Sequence, residues 1–415
     1  MGKYQAYPEY KDSGVEWMGK IPAHWDKKRI KETASLINGY PFDSKMFEAG
    51  QGMPLVRIRD IRSSSTEVRF VGDVPKSALI NNGDLLVGMD GDFNVAIWNG
   101  GLAALNQRVA CVRASNHHLH KLIFYTLPFN MKVVNDLTYF TTVKHLSSVD
   151  ILKSVYPFPP ENELTKIVSF LDHETAKIDT LIDKQQQLIQ LLKEKRQAVI
   201  SHAVTKGLNP NAPMRDSGVE WLGEVPEHWV LARLKNVLRI RNGRDYKDVE
   251  VEEGGYPVYG SGGIFKRSSS YLYDGKSVLF GRKGTIDKPL VVSGKFWTVD
   301  TMFYSEVFDN VLPEYIYYQA TFFPFNLLST NTALPSMTQE DLLMLPFVVP
   351  PRIEQEGIIK YVQDKSARFD NLIGKAQSAI ELMQERRTAL ISAAVTGKID
   401  VRHHVSRPAG NDTIG

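Results

Sequence analysis

The chain has 415 residues, too many for one hydrophobic core, so several domains are expected. Its hydrophobic content of 43% is that of an ordinary globular protein, and it has no apolar run of membrane-spanning length. The net charge of +3 permits nucleic-acid binding without requiring it. The single cysteine, Cys111, excludes an internal disulfide and a cysteine-rich zinc site. Together with an N-terminal stretch that lacks a signal-peptide core, it predicts a cytoplasmic location.

The first element along the chain is a tryptophan-bracketed segment that occurs twice. "DSGVEWMGKIPAHW" fills residues 12–25, and "DSGVEWLGEVPEHW" fills residues 216–229. A second similarity aligns residues 165–207 with residues 356–398 without a gap, but at a different offset. Repeats that keep their order while their spacing changes indicate two copies of one unit. Each unit is expected to contain a tryptophan segment, a variable globular part and a long helix.

The variable parts, about residues 26–155 and 230–345, are predicted to be strand-rich mixed domains. Short β-branched and apolar runs such as "GDLLVG", "RVACVR" and "KSVLFG" alternate with Gly, Asn and Asp turns. Each part then carries a short helix, "HHLHKLIFYTL" or "LPEYIYYQATFF", and a related tetrapeptide, "LPFN" or "FPFN". Cys111 lies in one of the apolar runs, so it is expected to be an inert core residue.

Two long helices are predicted at Glu161–Ser201 and Arg352–Thr396. Apolar residues at alternating three- and four-residue steps are typical of a coiled coil. The predicted seams are Ile178, Leu181, Gln185, Leu188, Leu192, Lys195 and Val199 in the first helix, and Phe369, Leu372, Ala376, Ala379, Met383, Arg386 and Leu390 in the second. Antiparallel pairing of the two helices would bury both seams. The alternative is that each helix pairs with another chain.

Partial catalytic motifs are present but incomplete. "GKS" at residues 275–277 lacks the glycine that a phosphate-binding loop needs five residues earlier. "YGSGGIF" lacks dinucleotide-site spacing, "HHLH" has no histidine at the matching place in the second repeat, and "YPFPPE" has the wrong order for a methyl-transfer loop. Zinc spacing and a nucleophile elbow are also absent from the sequence. We therefore expect no catalytic residue, metal or cofactor in this chain.

Basic, amide and aromatic side chains are instead concentrated in the predicted loops. Arg and Lys suit phosphates and guanine edges, amides suit adenine, and glycine-rich backbone permits close approach to DNA. Each residue taken alone is also explained as a solvated surface group. The candidate DNA-binding residues are Arg57, Arg59, Arg62, Asn94, Asn106, Gln107, Arg108, Lys144 and His145 in the first half, and Arg244, Lys247, Tyr259, Ser261, Lys266, Arg267, Arg282 and Lys283 in the second.

Three pairs of segments carry a resemblance to a known family. They are the two tryptophan segments, the helix starts "FPPENELTKIVSFLDHETAKID" and "VPPRIEQEGIIKYVQDKSARFD", and the helix ends "ISHAVTKG" and "ISAAVTGKID". Together they resemble the specificity subunit of a type I restriction–modification system over nearly the whole chain. The resemblance implies an α+β fold in which two strand-rich, α/β-mixed target recognition domains are joined by an antiparallel coiled coil.

The implied division of the chain is linear. The expected segments are a first recognition domain at residues 1–155, a first long helix at 156–207, a second recognition domain at 208–345, a second long helix at 346–400 and a flexible tail at 401–415.

The resemblance also implies a function. Each domain would read one half of a gapped, bipartite DNA target, and the coiled coil would set the gap. Such a subunit is not an enzyme: two methylation subunits modify adenine N6, and restriction–translocation subunits drive cleavage. S-adenosylmethionine, ATP and Mg²⁺ are therefore expected on the partners. The alternative function is a non-enzymatic coiled-coil scaffold with two protein-binding domains.

The four repeated tryptophans are candidate anchors for the partner subunits, because tryptophan is enriched in binding hot spots. The alternative is that they attach each domain to its long helix. They are Trp17, Trp25, Trp221 and Trp229.

Overall fold

The computed structural model of the chain describes residues 4–137, 145–328 and 335–404. The chain divides into two compact units. Unit 1 comprises Met1–Lys184 and Ala379–Gly415, and unit 2 comprises Gln185–Ser378. Each unit therefore contains one strand-rich region and one end of each long helix, whereas the linear division into five segments follows the sequence repeats and stays a prediction.

Unit 1 has thirteen strands among its described residues. They are β1 (Tyr10–Asp12), β2 (Lys20–Pro22), β3 (Asp26–Arg29), β4 (Ala34–Asn38), β5 (Phe47–Glu48), β6 (Met53–Val56), β7 (Arg69–Phe70), β8 (Leu79–Ile80), β9 (Leu85–Gly88), β10 (Val95–Ile97), β11 (Ala103–Leu105), β12 (Val109–Ala114) and β13 (Val155–Phe158). Its helices are α1 (His117–Leu137), α2 (Ser148–Lys153), the first part of α3 (Glu161–Lys206) and the last part of α7 (Arg352–Val395).

The strands of unit 1 form two main sheets. One has the order β10-β9-β12-β4 and the other the order β5-β7-β6-β11-β8, while β1 pairs with β2 and β3 with β13. The pairing is antiparallel except between β6 and β11. Strand β9 is buried at every residue, because the other main sheet covers one of its faces and α1 lies on the other. The core of unit 1 thus lies on both sides of the four-stranded sheet.

Unit 2 also has thirteen strands among its described residues. They are β14 (Met214–Asp216), β15 (Glu224–Pro226), β16 (Val230–Arg233), β17 (Leu238–Asn242), β18 (Glu250–Val251), β19 (Tyr256–Gly260), β20 (Gly263–Ser268), β21 (Tyr273–Asp274), β22 (Ser277–Gly281), β23 (Leu290–Val292), β24 (Lys295–Thr298), β25 (Met302–Val307) and β26 (Pro346–Val349). Its helices are α4 (Pro313–Ala320), α5 (Phe325–Leu328), α6 (Gln339–Leu343), the end of α3 and most of α7 (Arg352–Val395).

The topology of unit 2 repeats that of unit 1. Its main sheets have the orders β17-β25-β22-β23 and β18-β20-β19-β24-β21, and β14 pairs with β15 and β16 with β26. The parallel pair recurs as β19 and β24. Glycine at the same repeat position permits a close approach in both units: an ideal Cβ on Gly39 would lie 1.8 Å from the Asn106 carbonyl oxygen, and one on Gly243 would lie 2.0 Å from that of Val299. The predicted duplication is therefore confirmed strand by strand.

The long helices run antiparallel inside each unit. In unit 1, Arg387 of α7 donates to Asp179 of α3 with Nε 2.8 Å from Oδ1. In unit 2, Arg196 of α3 donates to Asp370 of α7 over 2.5 Å. The start of one helix thus lies beside the end of the other, and the α+β fold with two paired long helices is confirmed. Helix α3 continues to Lys206, five residues past its predicted end, and α7 ends at Val395, one residue early.

Five of the six alternate positions of the predicted seam are wrong by one residue, and the exception is Ala379, which is partly buried. In α3, Leu181 is 50% and Leu188 43% exposed, whereas Ile182, the residue after Leu181, is buried. In α7, Leu372 is exposed and the next residue, Ile373, is partly buried. The predicted positions with seven-residue spacing, beginning at Ile178, do lie on the inner face. Because Leu181 and Ile182 are both apolar, the sequence allows the step from Ile178 to the next seam residue to be three or four residues long. In the structure the four-residue step comes first and the three-residue step follows.

Two local expectations also need correction. The related tetrapeptides lie in different structures, since "LPFN" is inside α1, which continues through Pro128, whereas "FPFN" lies where α4 has ended and α5 begins. The predicted flexible tail starts too early, because Val401 is buried and Arg402 pairs with Asp400. Among the described residues, none of the helices is long and apolar enough to cross a membrane.

Candidate nucleic-acid interface

The connection between β6 and β7 carries three of the candidate residues in unit 1. Residues 57–68 form it, beginning with the 3₁₀ turn Ile58–Asp60. Arg57 is engaged inside the protein: its Nε lies 3.0 Å from Asp60 Oδ2, and that buried carboxylate also accepts the Arg57 backbone N–H. Arg59 and Arg62 are exposed. The turn therefore fixes one arginine against its own carboxylate and presents two to solvent.

The same connection in unit 2 is a β-hairpin. Strands β19 and β20 are linked through Ser261 and Gly262, and their register shifts between Val258 and Tyr259. Lys266 Nζ lies 2.5 Å from Glu250 Oε1, and Arg267 Nη1 donates to the Gly255 carbonyl over 3.3 Å. Both cationic groups remain exposed beside these partners. The corresponding connections of the two units thus have different backbones and different basic groups.

The loop that follows β17 lies against this hairpin. Arg244 donates its backbone N–H to the Thr298 carbonyl, and Thr298 Oγ1 donates to the Tyr259 carbonyl over 3.3 Å. Arg244 and Lys247 are exposed, whereas Tyr259 and Ser261 are half-buried. The structure therefore brings Arg244, Tyr259 and the hairpin together, as the sequence alone could not.

A second cluster in unit 1 lies where the chain after β9 meets the segment before α2. Leu146 donates its N–H to the Met89 carbonyl over 2.7 Å. The backbones of Asp90 and His145 form an isolated antiparallel β-bridge. His145 Nδ1 is 2.8 Å from Asp90 Oδ1 and 3.4 Å from Arg108 Nη1. One ring nitrogen cannot donate to the carboxylate and also accept from the guanidinium, so the shorter contact assigns its proton. Asp90 Oδ2 also lies 3.4 Å from Arg108 Nε, so this carboxylate positions both side chains.

The equivalent backbone junction in unit 2 carries different side chains. Met337 donates its N–H to the Arg282 carbonyl over 3.1 Å, and Arg282 donates its own N–H to the Thr301 carbonyl. The backbones of Lys283 and Ser336 form an isolated antiparallel β-bridge. The positions of Asp90, Arg108 and His145 in unit 1 are thus occupied by Lys283, Thr301 and Ser336. Arg282 Nη1 donates to a backbone carbonyl, that of Asp300, over 3.3 Å.

The remaining candidates of unit 1 are less concentrated. Asn94 and Arg62 line one groove beside α1, and the Asn94 carbonyl accepts from Gly88. Asn106 uses its side chain internally, because its Oδ1 accepts the Gln107 backbone N–H over 2.7 Å. Gln107 itself is exposed. Lys144 lies outside the described residues.

The outer tryptophans, Trp25 and Trp229, end the two repeated segments, and each is buried against the start of a long helix. Trp25 Nε1 donates to Glu163 Oε2 over 2.9 Å, and His24 Nε2 is 2.8 Å from the other oxygen. Tyr7 also donates to Glu163, and burial and this carboxylate raise the pKa of the phenol. Trp25 has no exposed surface. Its geometry fits the attachment role, which was the alternative to partner binding.

Unit 2 repeats this arrangement with fewer partners. Trp229 Nε1 donates to Glu354 Oε2 over 3.0 Å, and His228 Nε2 is 2.7 Å from Oε1. Glycines near the opposite helix ends complete both sites, because Gly207 lies beside Trp229 and Gly397 beside Trp25. Each tryptophan segment is therefore held by the start of one long helix and the end of the other.

The inner tryptophans, Trp17 and Trp221, are less buried than the outer ones. Trp17 stacks on Phe129 with ring centroids 5.4 Å apart, and Trp221 meets Phe323 edge-on at 5.7 Å. The Trp17 indole N–H has no acceptor among the residues that the structure describes. Contact of these tryptophans with a partner subunit stays a prediction.

Sequence reasoning missed the residues that hold the site together. Asp90, Glu163 and Glu354 carry no motif of their own, although the two glutamates occupy aligned positions of the repeat, which is a usable signal. A further pair recurs at the start of the helices α2 and α6: Ser148 donates to Asn38 over 2.6 Å, and Gln339 donates to Asn242 over 2.9 Å. Within the described ranges, the structure contains no group of three or more His, Cys, Asp and Glu side chains placed to hold a metal.

Comparison with known proteins gives consistent results. The family model for the type I restriction modification DNA specificity domain matches residues 22–191 and 226–382, well over half of the chain. The chain is 32% identical over 252 residues to the type I restriction enzyme EcoBI specificity subunit of Escherichia coli. The aligned region covers 57% of this chain and 53%, about half, of that protein. It is 23% identical over 438 residues to the MjaVIII specificity subunit of Methanocaldococcus jannaschii, covering 95% of this chain and 98% of that protein.

A solved structure supports the fold. It comes from work on complex assembly and conformational transition of the type I R-M system, and it matches with a TM-score of 0.63 and 17% identity over 90% of this chain and 98% of that one. At that identity the likeness concerns the fold alone. With the matched family regions in both repeats and the duplicated topology, the chain belongs to the family of type I restriction–modification DNA specificity subunits.

Proposed function

We propose that this chain reads a gapped, bipartite DNA target, one half with each unit, and that its paired long helices set the gap. The observation that supports this most is the contrast between units of one topology. The β6–β7 connection presents Arg59 and Arg62, whereas in unit 2 the connection is a short turn and strand β20 after it presents Lys266 and Arg267. Cationic groups on differing loops of a common frame suit two readers of different sequences.

The chain acts in this proposal without catalysis of its own. Methylation subunits bound to it transfer the methyl group to adenine, and restriction–translocation subunits join them for cleavage. S-adenosylmethionine, ATP and Mg²⁺ belong to those partners. The half-buried tryptophans Trp17 and Trp221 are the proposed contacts of the tryptophan segments with the methylation subunits, since Trp25 and Trp229 are committed to glutamates of their own units.

A gel-shift experiment tests the proposal. The chain, the candidate methylation subunit and the two together are incubated with random and genomic DNA, and methylated adenines are then mapped. Sequence-specific binding and methylation that require both proteins are expected. Methyl transfer by the purified chain alone would contradict the non-catalytic role. Unchanged DNA binding when the chain is added, with capture of other proteins instead, would favour the protein-binding scaffold.

The role of the helices is tested by paired deletion of one heptad. Removing Leu181–Gln187 together with Leu372–Ser378 preserves the seam and shortens each helix by roughly 10 Å. Because B-DNA advances about 3.4 Å per base pair, the gap should shrink by about three base pairs while the bases read stay the same. Removal of one residue should abolish function by rotating the seam. An unchanged gap in an active paired deletion would show that the helices do not set it.

A further inference from the structure

The hairpin β19–β20 lies at the edge of the five-stranded sheet of unit 2. Strand β18 pairs with only Arg267 and Ser268 of β20, so among the described strands residues 263–266 have β19 on one side and an open edge on the other. Strand β19 is flanked on its far side by β24. The turn is glycine-rich, with open space where a Cβ on Gly262 would lie and with Gly263 at a φ of 105°. This part of the molecule therefore presents an open backbone edge that ends in a glycine-rich turn.

The tip of this hairpin exposes two large apolar side chains. Ile264 is 56% exposed and Phe265 50% exposed, on successive residues of an edge strand. Exposed apolar residues on an open edge invite aggregation unless they serve an interaction. The connection at the same topological place in unit 1 instead contains a 3₁₀ turn with arginines, so the shared fold does not require an apolar tip.

Phe265 is held in its outward position. The Tyr246 ring meets it edge-on with centroids 5.3 Å apart. The Phe265 ring also lies beside Gly260, where an added Cβ would come within 3.3 Å of it. The aromatic ring is thus braced by an adjacent loop and a glycine rather than buried in the core.

The charges beside the tip indicate what it contacts. Lys266 and Arg267 follow the two apolar residues directly, and both are exposed. The major groove of B-DNA exposes base edges to side chains at the surface of a protein, and the thymine 5-methyl is the apolar group that those edges present. Phosphates beside the groove suit the two cations.

We propose that Ile264 and Phe265 contact thymine methyl groups in the major groove of the half-site read by unit 2. This inference rests on the proposed function, because it specifies how one unit reads its half-site. It adds an apolar, methyl-directed contact to the basic residues already described, and it assigns that contact to unit 2 alone.

The experiment uses the complex of the full chain with its methylation subunit and duplexes that carry the mapped target. Each thymine of both half-sites is replaced in turn by uracil, which removes only the 5-methyl. Loss of one buried methyl should weaken binding about threefold to fourfold. We expect this loss at one or more thymines of the unit 2 half-site. The same replacements should have no effect on the Ile264→Ala/Phe265→Ala variant.

Two matched variants serve as controls. Phe265→Leu keeps an apolar tip and should retain the sensitivity to uracil. Val291→Ala truncates an exposed apolar residue on β23 of the same unit and should behave as the original chain. Uracil in the unit 1 half-site should act equally on all variants, and retained recognition there shows that the complex has assembled.

The outcomes separate the two proposals. A complex without sequence-specific binding contradicts the proposed function itself. Specific binding to a unit 2 half-site that contains no thymine, or that tolerates uracil everywhere, overturns the apolar-tip assignment alone. So does a uracil effect that persists at full size in the double alanine variant.

Discussion

Units 1 and 2 pair their strands in the same order, but they differ in the connections between the strands. Between β6 and β7 the chain makes a 3₁₀ turn, and between β19 and β20 it makes a hairpin. At a second place the backbone is preserved and the side chains differ: the N–H of Met89 reaches the Arg108 carbonyl over 3.0 Å, as Arg282 reaches Thr301 over 2.8 Å. Backbone hydrogen bonds therefore maintain the fold, and exposed side chains are left free to diverge.

The largest expected effect is a loss of recognition by unit 2 while unit 1 continues to recognise its half-site. Alanine at Lys247, Lys266, Arg267, Arg282 and Lys283 together should reduce discrimination at the unit 2 half-site by about 100-fold or more, since each base contact made by Lys247, Arg282 or Lys283 contributes about 1–3 kcal/mol. Loss of the phosphate contacts of Lys266 and Arg267 should lower the affinity and its salt dependence. Recognition of the other half-site should persist. Binding to duplexes altered in one half at a time measures this.

Lys235→Ala is the matched control, because it removes an exposed cation from the 3₁₀ turn Leu234–Asn236 of the same unit. Equal loss of discrimination at both half-sites in the grouped alanine variant would contradict independent readers.

The second prediction tests the shared frame. Gly39→Ala in unit 1 and Gly243→Ala in unit 2 each place a Cβ about 2 Å from a backbone carbonyl oxygen, at Asn106 and Val299. Because backbone must move, each should lower the free energy of unfolding of its own unit by about 3 kcal/mol. Gly262→Ala, which meets nothing within 4 Å, is the control. Hydrogen exchange of peptides from each unit measures the effect, and a large loss at only one glycine would show that the frames differ.

The third prediction compares the glutamates that hold the outer tryptophans. Glu163 accepts hydrogen bonds from Tyr7 and Trp25, contacts His24 and is 7% exposed in its side chain, whereas that of Glu354 is 39% exposed. Glu163→Gln turns an amide group towards buried donors and should cost about 2–3 kcal/mol, whereas Glu354→Gln should cost about 1 kcal/mol.

The thiol of Cys111 gives a direct measurement for unit 1. It is buried on β12, and burial raises its pKa to about 12, so it reacts with a thiol reagent only when unit 1 opens. Glu163→Gln should accelerate labelling, whereas Glu354→Gln and the exposed control Glu161→Gln should not. Faster labelling in Glu354→Gln would contradict separate attachment of the two segments.

The smallest effect concerns the long helices. Helix α3 contains no glycine, whereas α7 contains Gly357 and Gly374, both exposed and with open space around an added Cβ. Alanine at either position should stabilise unit 2 by about 0.5–1 kcal/mol, because glycine is a poor helix former. Thermal unfolding with hydrogen exchange per unit checks this. A destabilised unit 2 would contradict the open space around these two glycines.

The sequence predicts elements whose pattern is local. Strand β9 and Cys111 follow from short apolar runs, and the two long helices follow from extended periodicity. The seam phase does not follow, because Leu181 and Ile182 are both apolar and only packing distinguishes them. Side-chain clusters are equally hidden when their members are far apart in sequence, as Asp90 and His145 are.

The hairpin and the turn that replaces it have a consequence for how this fold can change. Both are closed by the same strand pairing, although one connection spans residues 57–68 and the other only Ser261 and Gly262. Loop-closure entropy grows only with the logarithm of length, so such a difference costs less than about 2 kcal/mol. Insertions and deletions at this connection are therefore cheap, and a new reading surface can arise there without a new core.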